Sequence, residues 1–289
     1  LVQSTSEKEQ LIINSINNKL KKIKMKKTNS TRIFNSAAFV IVGCLIVAIC
    51  IFKFVLGDPA NFMNNDPNNN PLPGNMLGTV YKGGFVVPII LTLLLTVLVL
   101  SVERWIAIGR ANGKKNLTKF VAEVKALLDK GQIKEAQALC EKQKGSVASV
   151  IFSSLNKYIE MEQNTELSKE QKLVAIQKEL EEATSLEVPT LEQNLPVLAT
   201  LTTLGTLMGL FGTVLGMIRS FASLSSAGGT DSMALSTGIS EALVNTAFGI
   251  ATGACSLIAY NYYTSRIDKL TFCIDEVGFS IVQSYAATH

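Results

Sequence analysis

QNLPVLATLTTLGTLMGLFGTVLGMI, residues Gln193–Ile218, is long enough to cross a bilayer, carries no charge, and is nonetheless full of Thr and Gly. At helical spacing Thr202, Thr206, Gly209, Thr213, Gly216, Ser220 and Ser223 follow alternating steps of four and three residues. That rhythm gathers hydroxyls and bare backbone on one stripe. The opposite face is Leu, Met, Val and Phe. Hydroxyls in hydrocarbon are costly unless something satisfies them, so the stripe is expected to meet another helix or a narrow wet path. On this helix alone, simple small-residue packing is the alternative reading.

The chain has 289 residues, of which 47% are hydrophobic and 17% charged. That balance is short of charge for a soluble domain. Four windows carry no charge at all: Ile33 to Phe52, Gly83 to Val102, Gln193 to Ile218 and Ala242 to Ser265. Each holds about 20 residues or more, enough at about 1.5 Å per residue to span a core of about 30 Å. The expected fold class is an all-α integral membrane protein with four transmembrane helices and a cytoplasmic helical region between the second and third.

Lys and Arg set the direction, because short cytoplasmic flanks are enriched in them. Lys19, Lys21, Lys22, Lys24, Lys26, Lys27 and Arg32 precede the first span; Arg104, Arg110, Lys114, Lys115 and Lys119 follow the second; Arg266 and Lys269 follow the fourth. The loop between the first two spans, with Asp58, Asp66 and a run of Asn and Pro, has little positive charge. The boundaries therefore read as an internal basic N-terminus at 1–32, spans at 33–56, 83–103, 193–223 and 239–265, external loops at 57–82 and 224–238, an internal helical region at 104–192 and an internal tail at 266–289. The first window would also fit a signal peptide, but its apolar run is long and no small-x-small site precedes Asp58. Met25-Lys26-Lys27 looks like a natural start, which makes residues 1–24 an extension with no assigned role. The net charge of +4 is accounted for by the flanks, and no nucleic-acid partner is implied.

Cys44, Cys50, Cys140, Cys255 and Cys273 form no CxxC pair and read as free thiols. The one histidine, His289, excludes a His-based triad or a His-rich metal site. With no nucleophile and base pair, metal set or phosphate loop, neither catalytic residues nor a cofactor are expected. In the internal region LTKFVAEVKALLDKGQIKEAQALCEKQKG has helical spacing broken at Gly131 and Gly145. Two further helices follow, near 146–161 and 168–186, the latter opened by a Ser168–Gln171 capping box. Its charge runs, such as Glu179, Glu181 and Glu182, read as a solvated face. Pro189 and Pro196 mark the entry to the third span.

The fourth span repeats the pattern of the third. Ala242, Thr246, Gly249, Gly253, Ser256 and Tyr260 share a face. Because the two helices run in opposite directions, Thr213 and Thr246 are expected at a similar depth, towards the external half. One hairpin cannot close a channel, so several copies in a ring are implied. Glu241 stands at the start of the span, either as a helix-terminus residue paired with Arg219 or as a group giving protons access.

GLFGTVLGMIRSF (Gly209–Phe221) and GISEALVNTAFGIATG (Gly238–Gly253) resemble the signature of the MotA/TolQ/ExbB proton-channel family, closest to its ExbB branch with TolQ next. The resemblance covers residues 85–265 in arrangement. It implies a pentamer around two helices of a smaller single-span partner, of the ExbD or TolR type, whose membrane aspartate carries the proton. It further implies that Thr213 and Thr246, with Thr206, Gly209 and Gly249 on the same stripes, line the pore, and that Glu241 lies near the path. Proton flow across the inner membrane of a Gram-negative bacterium would then drive a TonB-like transducer, or alternatively the Tol system or a flagellar or gliding stator. A membrane scaffold would explain the glycines but not two threonines at one depth. No acid lies well inside a span, so the titrating group must come from a partner. The first span and its loop depart from the three-helix pattern of the family.

Overall fold

The computed structural model describes residues 38–114, 116–226 and 232–288. The readings placed on 1–37 and on His289, and part of those on the second external loop, lie outside the described residues. The chain folds as α1 (Ala38–Leu56, ending in the π-helical turn Ile51–Leu56), α2 (Met76–Lys82), α3 (Val86–Ala111), α4 (Leu117–Asp129), α5 (Ile133–Gln143), α6 (Ser146–Gln163), α7 (Lys169–Leu191), α8 (Leu195–Ser226) and α9 (Ser232–Thr288). Among the described residues, four helical runs are long and apolar enough to cross a membrane: Ala38–Leu56, Val86–Ala111, Lys169–Ala222 and Leu235–Thr288.

The expected capping box at Ser168 is present, and a second cap, at Asn116, joins it. Ser168 accepts from the Gln171 backbone while the Gln171 side chain accepts from the Ser168 backbone, closing the capping box of α7. Asn116 caps α4 through Thr118 N at 3.1 Å. Gly131 and Gly145, at φ of +69° and +90°, break the chain before α5 and α6. Pro196 falls in the first turn of α8, where a missing N–H costs least, whereas Pro189 falls in the last turn of α7 and removes one helical hydrogen bond just before the bend. Between those helices Asn194 turns the chain at φ +66°.

α9 is unbroken for 57 residues, about 85 Å at 1.5 Å per residue, far more than a bilayer core. Residues 266–288 are thus no free tail. Tyr263, Ile267, Leu270, Ile274, Val277, Ile281 and Tyr285 are all buried at steps of three and four, and they form the spine of a helical body with Phe120, Val124, Leu128, Ile151, Leu155 and Ile176. Polar links close its far end: Tyr285 Oη donates to Met161 O at 3.1 Å, and Lys169 Nζ to Ala286 O at 2.8 Å.

Arg104, expected among the flank cations after the second span, is 2% exposed. The reason is a set of unpaired helix-end carbonyls: its Nη1 donates to Thr190 O and Leu191 O at 3.3 and 3.1 Å, and Glu103 neutralises it. Asn194 Nδ2 completes the joint at 3.2 Å from Glu103 Oε2. α3 is thereby tied to the bend between α7 and α8.

At the other end of the spans the Asn/Pro-rich loop is folded. Asn61 Nδ2 donates to Val55 O and Leu56 O at 3.0 and 3.2 Å, and its Oδ1 accepts from Asn75 Nδ2 at 3.0 Å. Tyr81 stacks on Phe52 with ring centroids 4.7 Å apart and meets Phe62 edge-on. Leu56, Val80 and Val87 form a small apolar cluster against Val244 and Phe248 of α9.

Candidate functional site

The α8–α9 hairpin is held by close approach of bare backbone. A Cβ built on Gly249 would lie 2.5 Å from Gly209 Cα, and one on Gly209 would lie 2.9 Å from Gly249 Cα. Above and below this crossing Gly205 abuts Thr252, Gly212 abuts Asn245, Gly216 abuts Ala242, and Gly253 abuts Thr206. Such contact suits a medium in which leucine gains nothing by leaving lipid for protein, so helices associate through close van der Waals approach and hydrogen bonds. Gly209 and Gly249, expected from the sequence beside the threonines on the pore stripes, are buried at this crossing, and their bare faces are filled by the opposite helix.

One turn from the crossing the two threonines meet. Thr213 and Thr246, each half-buried, are within hydrogen-bonding contact through their hydroxyls. Thr213 Oγ1 is also 3.2 Å from Gly209 O and 3.4 Å from Ala242 O; Thr246 Oγ1 is 3.3 Å from Ala242 O and 3.4 Å from Gly209 O. Each hydroxyl has one proton and three acceptors within reach, so either can turn its donor elsewhere while its neighbour keeps the remaining bonds. The pair can offer a donor to an incoming carboxylate or water without unfolding any backbone bond. Thr206 is exposed along the same helix, its hydroxyl bonded to Thr202 O at 3.1 Å.

Glu241 lies apart from that pair. Five residues separate it from Thr246, about 140° around the helix at 100° per residue. It shares its face with Asn245, four residues on, which is 2% exposed and donates to Gly83 O at 3.0 Å. This side of α9 faces the junction between α2 and α3. The charges acting on Glu241 are Lys82 and then Arg219, so the expected Arg219 partner is joined by a cation from the loop. Arg219 also lies over the Phe85 ring, 5.5 Å from its centroid.

Sequence reasoning missed Asn245, Lys82, Gly205 and Gly212. Asn245 left a legible signal, an amide inside a charge-free span. Lys82 left none, since its relevance depends on how the loop folds. Among the described residues no cluster of three or more His, Cys, Asp or Glu is placed to hold a metal ion.

The sequence profile of the MotA/TolQ/ExbB proton channel family matches residues 145–276, which takes in α6, α7, the whole hairpin and most of the α9 spine. The Tol-Pal system protein TolQ of Pseudomonas aeruginosa is 27% identical over 201 residues, covering 68% of this chain and 86% of that protein. The biopolymer transport protein ExbB of Pseudomonas putida is 27% identical over 191 residues, 65% of this chain and 56% of its own length. ExbB of Helicobacter pylori is 37% identical over 81 residues, 28% of this chain and 56% of its own. The chain thus spans little more than half of each ExbB protein, and at these identities the TolQ and ExbB branches are not separated. Over residues 145–276, a little under half of its length, the chain is thus similar to the MotA/TolQ/ExbB proton channel family.

Proposed function

We propose that this chain is the ExbB-like subunit of an inner-membrane proton channel that couples the proton motive force to TonB-dependent transport at the outer membrane. The observation that carries this reading is the Thr213–Thr246 hydroxyl pair on a glycine-packed, charge-free hairpin. The pair supplies adaptable donors and no titrating group, which suits a channel wall completed by a partner's acid. In this reading several copies, a pentamer by family resemblance, surround a single-span ExbD- or TolR-like partner with a membrane aspartate. Thr213, Thr246 and Thr206 border the path, Glu241 gives access to it, and the helical body lies on the cytoplasmic side. A TolQ-like role in envelope maintenance is the second reading, favoured by the alignment that covers 86% of a TolQ protein.

The test is proton flux into liposomes holding the chain together with such a partner. Flux is expected to need both proteins, and to fall at least tenfold in the Thr213→Val, Thr246→Val double variant with assembly unchanged. Undiminished flux in that variant rejects the role of the pair. Complementation of cells lacking either the TonB-coupled or the Tol-coupled subunit separates the two branches.

A further inference from the structure

The segment Lys82–Phe85, which joins the folded loop to α3, is clamped to both helices of the hairpin. Asn245 of α9 donates to Gly83 O at 3.0 Å, and Arg219 of α8 covers Phe85. Space excludes a side chain at Gly83, and backbone conformation disfavours one at Gly84. A Cβ on Gly83 would stand 2.6 Å from Val87 Cγ2 and 2.9 Å from Asn245 Oδ1, while Gly84 sits at φ +74°. Lys82 is held in turn by the loop, its Nζ donating to Asn68 O at 3.0 Å and lying 5.8 Å from the Phe62 ring centroid. Both ends of Lys82 are therefore fixed, its backbone through the clamp and its ammonium through the loop. Glu241 and Asn245 share a face, and Lys82 is the foremost cation acting on Glu241, ahead of Arg219.

We propose that Lys82 is a positioning residue for ion entry: the first span and its folded loop deliver a fixed cation to the Glu241 carboxylate and so set the charge state in which the acid receives and releases protons. This rests on the reading of Glu241 as the access group of the channel. It also gives the segment outside the family match a role. The loop is folded by Asn61 and Asn75, carries Lys82 on its last helical turn, and is anchored by an amide from the hairpin itself. The charged groups facing Glu241 are Lys82 from α2 and Arg219 from α8.

The experiment measures the pH profile of proton flux in liposomes that contain the full chain and its single-span partner. Lys82→Gln is expected to move the profile by about one pH unit, the usual size of one neighbouring charge. Lys82→Glu moves it further in the same sense, and Lys82→Arg leaves it in place. Asn245→Ala, which loosens the clamp and alters no charge, moves the profile in the same sense by less, and it serves as the second test should a Lys82 variant not assemble. A purely structural Lys82 would lower flux at every pH alike. Profiles of Lys82→Gln, Lys82→Glu and Asn245→Ala that superimpose on the parent, while Glu241→Gln abolishes flux, overturn the proposal. Absence of flux from the parent itself would overturn the channel reading instead.

Discussion

The hairpin and the helical body share one long helix, α9, and are held together by opposite means. In the hairpin α8 and α9 touch through Gly205, Gly209, Gly212, Gly216, Gly249 and Gly253, and large apolar side chains such as Leu207, Phe211, Val214 and Ile258 point outward. In the body the lower half of α9 buries Ile267, Ile274, Val277 and Ile281 against Phe120, Ile151 and Leu155. On the proposed topology water makes aliphatic burial favourable in the body, each side chain contributing about 1.5–3 kcal/mol. Lipid offers no such gain, so the hairpin relies on close backbone approach and hydrogen bonds. One helix therefore changes its packing rule part-way along, near Ser256, whose hydroxyl donates to Leu198 O at 2.7 Å.

That contrast is most easily broken at Gly249. A side chain there would meet Gly209 backbone at 2.5 Å, and backbone cannot swing aside as a flexible side chain can. Gly249→Leu is expected to force the helices apart, lowering membrane level by tenfold or more and opening the hairpin to protease. Gly109→Ala is the control, because nothing lies within 4 Å of its Cβ position. A hairpin of ordinary level and protease resistance in Gly249→Leu would refute the crossing.

In the body the corresponding change is deletion rather than insertion. Ile151, fully buried in α6, is expected to cost about 2–5 kcal/mol as Ile151→Ala, from lost transfer energy plus the cavity left behind. Thermal unfolding in detergent measures it. A loss under about 1 kcal/mol would mean that the body is loosely packed.

The joint between the two regimes comes next. Arg104→Met keeps the apolar stem but leaves Thr190 O and Leu191 O without their donor and Glu103 without its counter-ion. Removal of one partner from a fully buried pair costs about 3–5 kcal/mol; because Glu103 is 41% exposed, about 2–3 kcal/mol is expected. Arg104→Lys should recover only part, since one ammonium cannot serve the carboxylate and both carbonyls as a planar fork does. Equal stability of Arg104→Lys and the parent would remove the case for the fork.

These differences follow how legible each part is in sequence. The spans, the cap at Ser168, the breaks at Gly131 and Gly145 and the small-residue stripes all declare themselves through local spacing. The meeting of Thr213 with Thr246 is legible too, because opposite helix directions and equal offsets from the hairpin fix their depth. Which glycines touch is harder. Gly205 and Gly212 fall off the four-three stripe, and it takes the crossing of two helices to bring them against Thr252 and Asn245. Lys82 and Arg104 illustrate the limit. Each is a basic residue at the edge of a span, where charge counting assigns it to the flank, and only the fold supplies the loop carbonyl or the helix end that captures it.

The smallest effect separates the thiols. Cys140 is buried in the body, and desolvation by burial, partly offset by a backbone hydrogen bond, pushes its thiol from 9.0 up to about 12. A folded-state value raised in this way favours the neutral form, so its contribution to stability is fully present below the unfolded thiol's pKa and fades above it. Between about pH 9 and pH 12 the unfolded chain ionises at this position while the folded body does not. At one unit above the free thiol's pKa the folded state is expected to lose about 1.4 kcal/mol on this account. Other groups titrate over the same range, so the reading is a difference: the fall in unfolding midpoint from pH 8 to pH 10 is larger for the parent than for Cys140→Ala. Cys140 should also resist alkylation at pH 8 until denaturant is added, because its thiolate is scarce and shielded. Equal falls for the two proteins, or rapid alkylation of Cys140 in the folded state, would mean that the body opens at α5 far more readily than its packing against α6 implies.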